Sequence, residues 1–180
     1  MVEDGIKAAE LENDPASPWS AHACALLGFG LHLAGDPDAT PMLERALAAG
    51  ASWPMTRIIA LSVSALRAAD EGKLARAQRL AEEAARMVDG RGFSRWPPSS
   101  FILAALGTVH SRQGHLEDAR AEFEYALYRR RQWVLKTPWV SVEIQLRLAE
   151  VLLALDDRAT ATATVAEVRN VLTVSPDGAG

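Results

Sequence analysis

Residues 106–126, LGTVHSRQGHLEDARAEFEYA, decide the fold of this chain. Gly107 lies seven residues before a turn residue, Gly114, and Ala119 and Phe123 follow the turn at helical spacing. This pattern is typical of two helices that run antiparallel and approach each other closely where the side chains are small. The segment therefore predicts a helical hairpin.

The same pattern occurs four times along the chain. In each copy a small residue precedes the turn residue by seven positions, and the turn residues are 37, 42 and 42 residues apart: Gly35, Gly72, Gly114 and Asp156. Near its start each copy also carries proline beside tryptophan: Pro18-Trp19, Trp53-Pro54, Trp96-Pro97 and Pro138-Trp139. Proline suits the first turn of a helix, because its missing N–H would have no partner there. The chain is thus predicted to be a repeat array.

The predicted fold is all-α, a right-handed α–α superhelix of about four antiparallel helix pairs with an N-terminal half unit. First helices are expected at 18–34, 54–71, 98–113 and 138–155, and second helices at 38–50, 73–89, 116–133 and 158–173. The repeat domain spans 17–175, with units at 17–52, 53–95, 96–136 and 137–175. Residues 1–16 are expected to be the trailing helix of a preceding unit and 176–180 a tail. The half unit and the uncapped last helix favour a piece of a longer protein, and they also suggest self-association through apolar ends.

Composition excludes several classes of protein. The single cysteine, Cys24, excludes an intramolecular disulfide framework and a multi-cysteine metal site. The apolar stretches carry interleaved polar residues, so none has the pattern of a membrane-spanning segment. The N-terminus, with Glu3 and Asp4, does not have the pattern of a signal peptide. A net charge of −4 does not favour non-specific binding to nucleic acid. The expected protein is soluble and cytoplasmic, with no membrane contact.

The third copy resembles the tetratricopeptide repeat. At the spacing of that repeat's Leu, Gly, Tyr, Gly, Ala, Phe and Ala stand Leu106, Gly107, His110, Gly114, Ala119, Phe123 and Ala126. Two features depart from the repeat. The period is 42 residues here, against about 34 in that repeat, and Arg131 stands where its closing proline is usual.

The stretches at 17–36 and 148–169 are similar to the helical-repeat region of bacterial LuxR-type regulators related to the maltotriose-responsive activator MalT. In that family an ATPase module precedes the repeats, which bind an inducer or a partner protein, and a helix-turn-helix that binds DNA follows them. This chain contains no phosphate-binding G-x-x-x-x-G-K-[ST] motif. The resemblance implies a non-enzymatic sensor and protein-interaction domain, in which DNA is bound only through a helix-turn-helix domain that this chain lacks.

Carrying the tetratricopeptide groove positions across implies a ligand or partner site on the first helices. Its residues are His22, Phe29, His32, Ser62, Asp70, Phe101, Thr108, Ser111, Arg112, Glu143 and Glu150. Such a mixture of aromatic, hydroxyl and charged groups suits a protein, a peptide or a small polar inducer. The alternative is that apolar residues on these helices simply pack against neighbouring helices.

Other chemistry-bearing residues favour structural roles. The four histidines do not have metal-ligand spacing, Cys24 is expected to be a buried inert thiol, and Arg129-Arg130-Arg131 is expected to be a solvated helix end with a nucleic-acid or acidic-partner contact as the alternative. The sequence shows no catalytic set, and we expect no enzyme activity, cofactor or metal. The leading hypothesis is a sensor domain of a LuxR-type regulator, and the alternative is a stand-alone tetratricopeptide adaptor that scaffolds a protein complex.

Overall fold

A computed structural model describes residue 7 and residues 17–49, 53–89, 99–132 and 138–174. In this part of the chain all regular structure is helical, and eight helices are labelled here in chain order. They are α1 Pro18–Leu33, α2 Ala39–Ala49, α3 Pro54–Asp70, α4 Leu74–Asp89, α5 Ser99–Arg112, α6 Leu116–Arg131, α7 Pro138–Ala154 and α8 Arg158–Val174. The predicted all-α fold class is confirmed.

The predicted helices match the observed ones to within one or two residues at each end. Each predicted unit holds one described helix pair. The predictions for 1–16 and 176–180, and those on Trp96 and Pro97, lie outside the described residues, apart from Lys7. The unit boundaries stay a prediction.

The four turn residues found in the sequence all have a left-handed backbone. Gly35, Gly72 and Gly114 have φ of 71°, 74° and 83°, and Asp156 has a φ of 61°. Glycine adopts this conformation without the Cβ clash that other residues suffer, and aspartate tolerates it better than most. The turn chemistry explains why the hairpins recur at these four positions.

The chain divides into two compact units, Met1–Ser94 and Arg95–Gly180. In unit 1, α1 pairs with α2 and α3 with α4, and both α1 and α2 pack against α3. Arg67 of α3 fastens these elements together: its Nε donates to Thr40 Oγ1 at 2.8 Å, and its Nη1 donates to the Asp36 carbonyl oxygen at 3.0 Å. In unit 2, α5 pairs with α6 and α7 with α8, and α7 packs against both α5 and α6.

Two glycines allow the helices of a pair to meet. A Cβ at Gly28 would lie 2.8 Å from the side chain of Leu43, and a Cβ at Gly107 would lie 2.9 Å from the ring of Phe123. Leu43 and Phe123 are both fully buried. The small residues at these two positions are therefore a requirement of helix packing rather than of turn geometry.

The predicted solvated end at Arg129-Arg130-Arg131 is wrong for its middle residue. Arg131 is exposed, and Arg129 lies with its guanidinium 5.9 Å from the ring centre of Tyr125, but Arg130 is buried. The reason is helical periodicity, because Arg130 continues the buried stripe of α6 formed by Ala119, Phe123 and Ala126. The buried thiol expected at Cys24 is confirmed.

Candidate functional site

Four of the predicted groove residues come together in unit 2. One shallow cavity of about 10 Å³ is lined by Thr108, Ser111 and Arg112 of α5 and Glu150 of α7, together with Phe123 and Arg147. A cavity of this size holds about one water molecule. The cavity is therefore too small to enclose a small-molecule ligand.

An ion pair stiffens this surface from the side of α7. Arg147 Nη2 lies 2.6 Å from Glu143 Oε1, and Arg147 Nε donates to the same oxygen at 2.8 Å. The two side chains are only 12% and 16% exposed. Because the guanidinium engages the carboxylate through two nitrogens in a largely water-free setting, the pair holds one geometry. Glu143, predicted to contact a ligand, thus forms an ion pair with Arg147.

Exposed leucines flank Glu150 on the same side of α7. Leu146 is 42% exposed and Leu153 is 58% exposed. The spacing 146, 150 and 153 places all three residues on one face of the helix. We call this surface the α7 face, and it consists of Leu146, Glu150 and Leu153.

In unit 1 the first helices α1 and α3 are joined by a histidine and two tryptophans. His22 Nδ1 lies 3.0 Å from Thr56 Oγ1, and the His22 ring meets Trp53 edge-on at 6.3 Å between ring centres. Trp19 contacts Trp53 edge-on at 4.8 Å. Burial lowers the pKa of His22 from its usual value, because the charged imidazolium loses hydration there. This predicted groove residue therefore lies at the α1–α3 joint.

Acid is expected to destabilise unit 1 through His22. Its pKa is lowered in the folded state, so the unfolded chain binds a proton more tightly than the folded chain does. The contribution to stability is fully present above the unfolded pKa of about 6.5, and it is lost as the pH falls through the folded pKa. Urea midpoints measured from about pH 8 to about pH 5 should fall less steeply in His22→Gln than in the wild type.

The control for this pH experiment is His115→Gln, because His115 is exposed and lies just before α6 in unit 2. This variant measures how much of any change in slope comes from replacing a histidine outside unit 1. Equal slopes for His22→Gln and the wild type would contradict the prediction.

The predicted groove residues divide by burial. Phe29, Ser62, Phe101 and Thr108 are buried, His32 and Ser111 are half-buried, and Asp70, Arg112 and Glu150 are exposed. The Thr108 hydroxyl donates to the Ala104 carbonyl oxygen at 2.7 Å. The Ser62 hydroxyl is buried and makes no hydrogen bond with any residue that the structure describes. In the isolated chain, the side chains open to a partner are those of the exposed group.

Two features of the candidate sites were missed by sequence reasoning. Arg147 is one of them, although its position four residues after Glu143 was a signal for an ion pair on one helix face. The other is a second cavity of unit 2, with polar lining residues, where Arg130 and Gln145 are buried. The stripe of α6 indicated that Arg130 is buried, but nothing in the sequence indicated that Gln145 lies beside it.

Within the described ranges there is no group of three His, Cys, Asp or Glu side chains arranged to hold a metal ion. None of the helices described is both long enough and apolar enough to cross a membrane.

Comparison with solved structures defines the class of fold, a tetratricopeptide-like α–α superhelix. The chain is similar to the crystal structure of nearly identical tetratricopeptide-like repeats assigned to a kinesin light chain of Podospora anserina. The TM-score is 0.52 at 16% sequence identity, and the match covers 97% of this chain and 85% of the other. No protein-family model and no curated protein sequence matches the chain. The likeness therefore shows the fold.

Proposed function

We propose that this chain is a non-enzymatic protein-interaction domain and that its partner binds the α7 face. The observation that carries the proposal is a difference between repeats. Leu146 and Glu150 lie ten and six residues before the turn residue Asp156, and both are exposed. The residues at the same distances before Gly35 and Gly114 are all buried: Ala25, Phe29, Ala104 and Thr108.

The neighbouring helices explain this difference. Helix α1 has the following first helix, α3, packed beside it, and α5 has α7 beside it. Among the described residues no such helix follows α7, so its apolar positions stay in contact with water. Burying Leu146 and Leu153 is favourable by about 25 cal/mol per Å² of apolar surface. On α1 and α5 the equivalent face is covered by a helix of the same chain. We therefore infer that the partner presents a helix to the α7 face.

The charged residues beside the α7 face indicate which side chains the partner helix carries. Glu150 stands between the two leucines and is exposed, and Arg112 lies across the shallow cavity on α5. A partner helix with apolar residues against Leu146 and Leu153 and a basic residue opposite Glu150 satisfies both features. An acidic residue opposite Arg112 would fix the register, because complementary charge selects orientation more than it adds affinity.

Introducing a charge on the α7 face tests the proposal. Leu146→Glu and Leu153→Glu are exposed substitutions and should leave the melting temperature nearly unchanged, while binding of the native partner falls at least tenfold. The matched control is Leu172→Glu on α8, where the leucine is 46% exposed and lies away from this face. The measurement is quantitative affinity capture from native extract, followed by titration of each retained protein against all three variants and the wild type.

One outcome of this experiment supports the proposal, and another contradicts it. Proteins retained equally by the wild type and Leu172→Glu but lost by both α7 variants support the proposal. If the α7 variants retained the same proteins with the same affinity as the wild type, the α7 face would not be the binding surface.

We further propose that the interaction domain serves a LuxR-type transcription regulator, with an inducer or partner protein as its signal. The support is the similarity of 17–36 and 148–169 to that group of regulators. The alternative, a stand-alone adaptor, is equally compatible with the fold. Epitope tagging of the native gene followed by mass determination and chromatin immunoprecipitation distinguishes them. A native product that contains a helix-turn-helix and enriches discrete promoters supports the regulator, and a product that enriches none supports the adaptor.

A further inference from the structure

Unit 2 contains a second polar feature, a cavity of about 280 Å³ between α6, α7 and α8. This volume is far larger than the roughly 10–15 Å³ that one water molecule requires. Apolar side chains form part of the wall, and polar or charged side chains form the rest: Leu127, Pro138 and Val171, and then Arg130, Arg131, Ser141, Gln145 and Glu167. We call it the α6–α8 cavity. It shares no lining residue with the shallow cavity beside the α7 face.

Only one of the two polar atoms of the Gln145 amide has a hydrogen-bond partner among the described residues. The residue is 8% exposed, and its Nε2 donates to Glu167 Oε2 at 2.9 Å. Its Oε1 is buried and accepts no hydrogen bond from any residue in the described ranges. A buried acceptor without a donor is costly and is rare in folded proteins. The cavity thus presents an acceptor that a bound N–H or O–H group would satisfy.

Two positively charged side chains also line the same cavity. Arg130 is 5% exposed, and Arg131 adds a second, exposed guanidinium at the wall. Burial lowers the pKa of Arg130 from its usual value, because the cation has lost hydration. An arginine side chain stays protonated in proteins, so the lining carries two guanidinium cations and the single carboxylate of Glu167, and a bound anion would be attracted to the arginines.

We propose that the α6–α8 cavity binds a small carboxylic acid that carries an N–H or O–H donor near its carboxylate and a short apolar body. The carboxylate pairs with Arg130 and Arg131. The donor satisfies Gln145 Oε1, and the apolar body lies against Leu127 and Val171. The carboxylate of Glu167 keeps a hydrogen bond from the other end of the Gln145 amide, which orients Oε1 toward the ligand.

Three probes test this chemistry separately in isothermal titration of the full chain. N-acetyl-L-leucine has the carboxylate, the N–H and the apolar body. Its methyl ester lacks the anion, and 4-methylpentanoate lacks the donor. For a ligand of this size we expect the acid to bind with a Kd on the order of 1 mM. Loss of either polar group should weaken binding roughly tenfold.

Variants connect binding to the named residues. Gln145→Met removes the buried acceptor and should abolish the preference for N-acetyl-L-leucine over 4-methylpentanoate. Arg131→Ala is an exposed change that should leave folding intact and weaken the acid severalfold. Arg169→Ala, which removes an exposed arginine of α8 outside the cavity, should bind as the wild type does. Melting curves without ligand establish whether each variant folds. If Gln145→Met does not fold, the Arg131→Ala result still tests the proposal.

Several results would overturn the proposal. One is the absence of saturable binding by N-acetyl-L-leucine up to about 10 mM, tenfold above the expected Kd. Another is equal binding of the acid and its methyl ester, which would show that the arginines do not read the anion. A third is tighter binding of N-acetyl-Gly-Gly-Leu than of N-acetyl-L-leucine, which would point to the end of a peptide chain in place of a free acid.

Discussion

Replacing Phe123 with alanine is expected to lower the free energy of unfolding by about 3–5 kcal/mol. The side chain is fully buried in α6, and its ring lies against Gly107 of α5. Removing the ring deletes the apolar contact between the two helices of the pair, and glycine has no side chain that fills the space. The measurement is equilibrium urea denaturation followed by far-ultraviolet circular dichroism.

The loss should be localised to unit 2. Amide hydrogen exchange of Phe123→Ala is expected to rise in α5, α6 and α7 and to stay near the wild-type value in α1 to α3, because Phe123 belongs to unit 2 and these three helices belong to unit 1. Tyr125→Ala is the control, since Tyr125 is 48% exposed two residues along the same helix. A loss of less than about 1 kcal/mol in Phe123→Ala would contradict the packing described here.

Replacing Gly28 with valine is expected to destabilise unit 1 by about 3 kcal/mol. A Cβ at this position would lie 2.8 Å from Leu43 Cγ and 3.3 Å from the Leu43 backbone nitrogen. The leucine side chain has little room to shift because it is fully buried, and the backbone of α2 would have to move with it. The gain in helix propensity from replacing glycine, under about 1 kcal/mol, does not offset this clash.

A double-mutant cycle identifies the clash as the cause. Leu43→Ala alone creates a cavity and should cost about 2–5 kcal/mol. Combined with Gly28→Val, the total loss should be smaller than the sum of the two, because valine occupies part of the space that leucine leaves. Ala48→Val on the exposed side of α2 should be nearly neutral. Strict additivity of Gly28→Val and Leu43→Ala would show that the two residues do not compete for the same space.

Most of the fold was predictable because its causes are local. A left-handed turn requires Gly114 or a tolerant residue such as Asp156, and close helix packing requires a small residue at Gly107. Both requirements act within one hairpin, so each leaves a trace at fixed spacing in the sequence. Repetition of the hairpin then multiplied the signal, and the predicted helix limits agree with the observed ones to one or two residues.

The candidate site was predictable only in part, since burial on a first helix depends on the helix that follows it. Thr108 and Glu150 occupy the same position in their repeats, and both were predicted to contact a ligand. Thr108 is buried, whereas Glu150 is exposed on the α7 face. Nothing within either hairpin distinguishes the two positions. The difference arises from the packing of α7 against α5 and from the absence, among the described residues, of a comparable helix against α7.

The sequence by itself determined the class of fold, the helix pairs, their turns and the glycines at which the paired helices approach each other closely. Only the tertiary structure decided which polar groups are buried. Arg130 and Gln145 belong to different hairpins, and they line one cavity because α6 packs against α7. The physical reason is that helical periodicity depends on neighbours three or four residues away, whereas a cavity depends on how separate helices pack together.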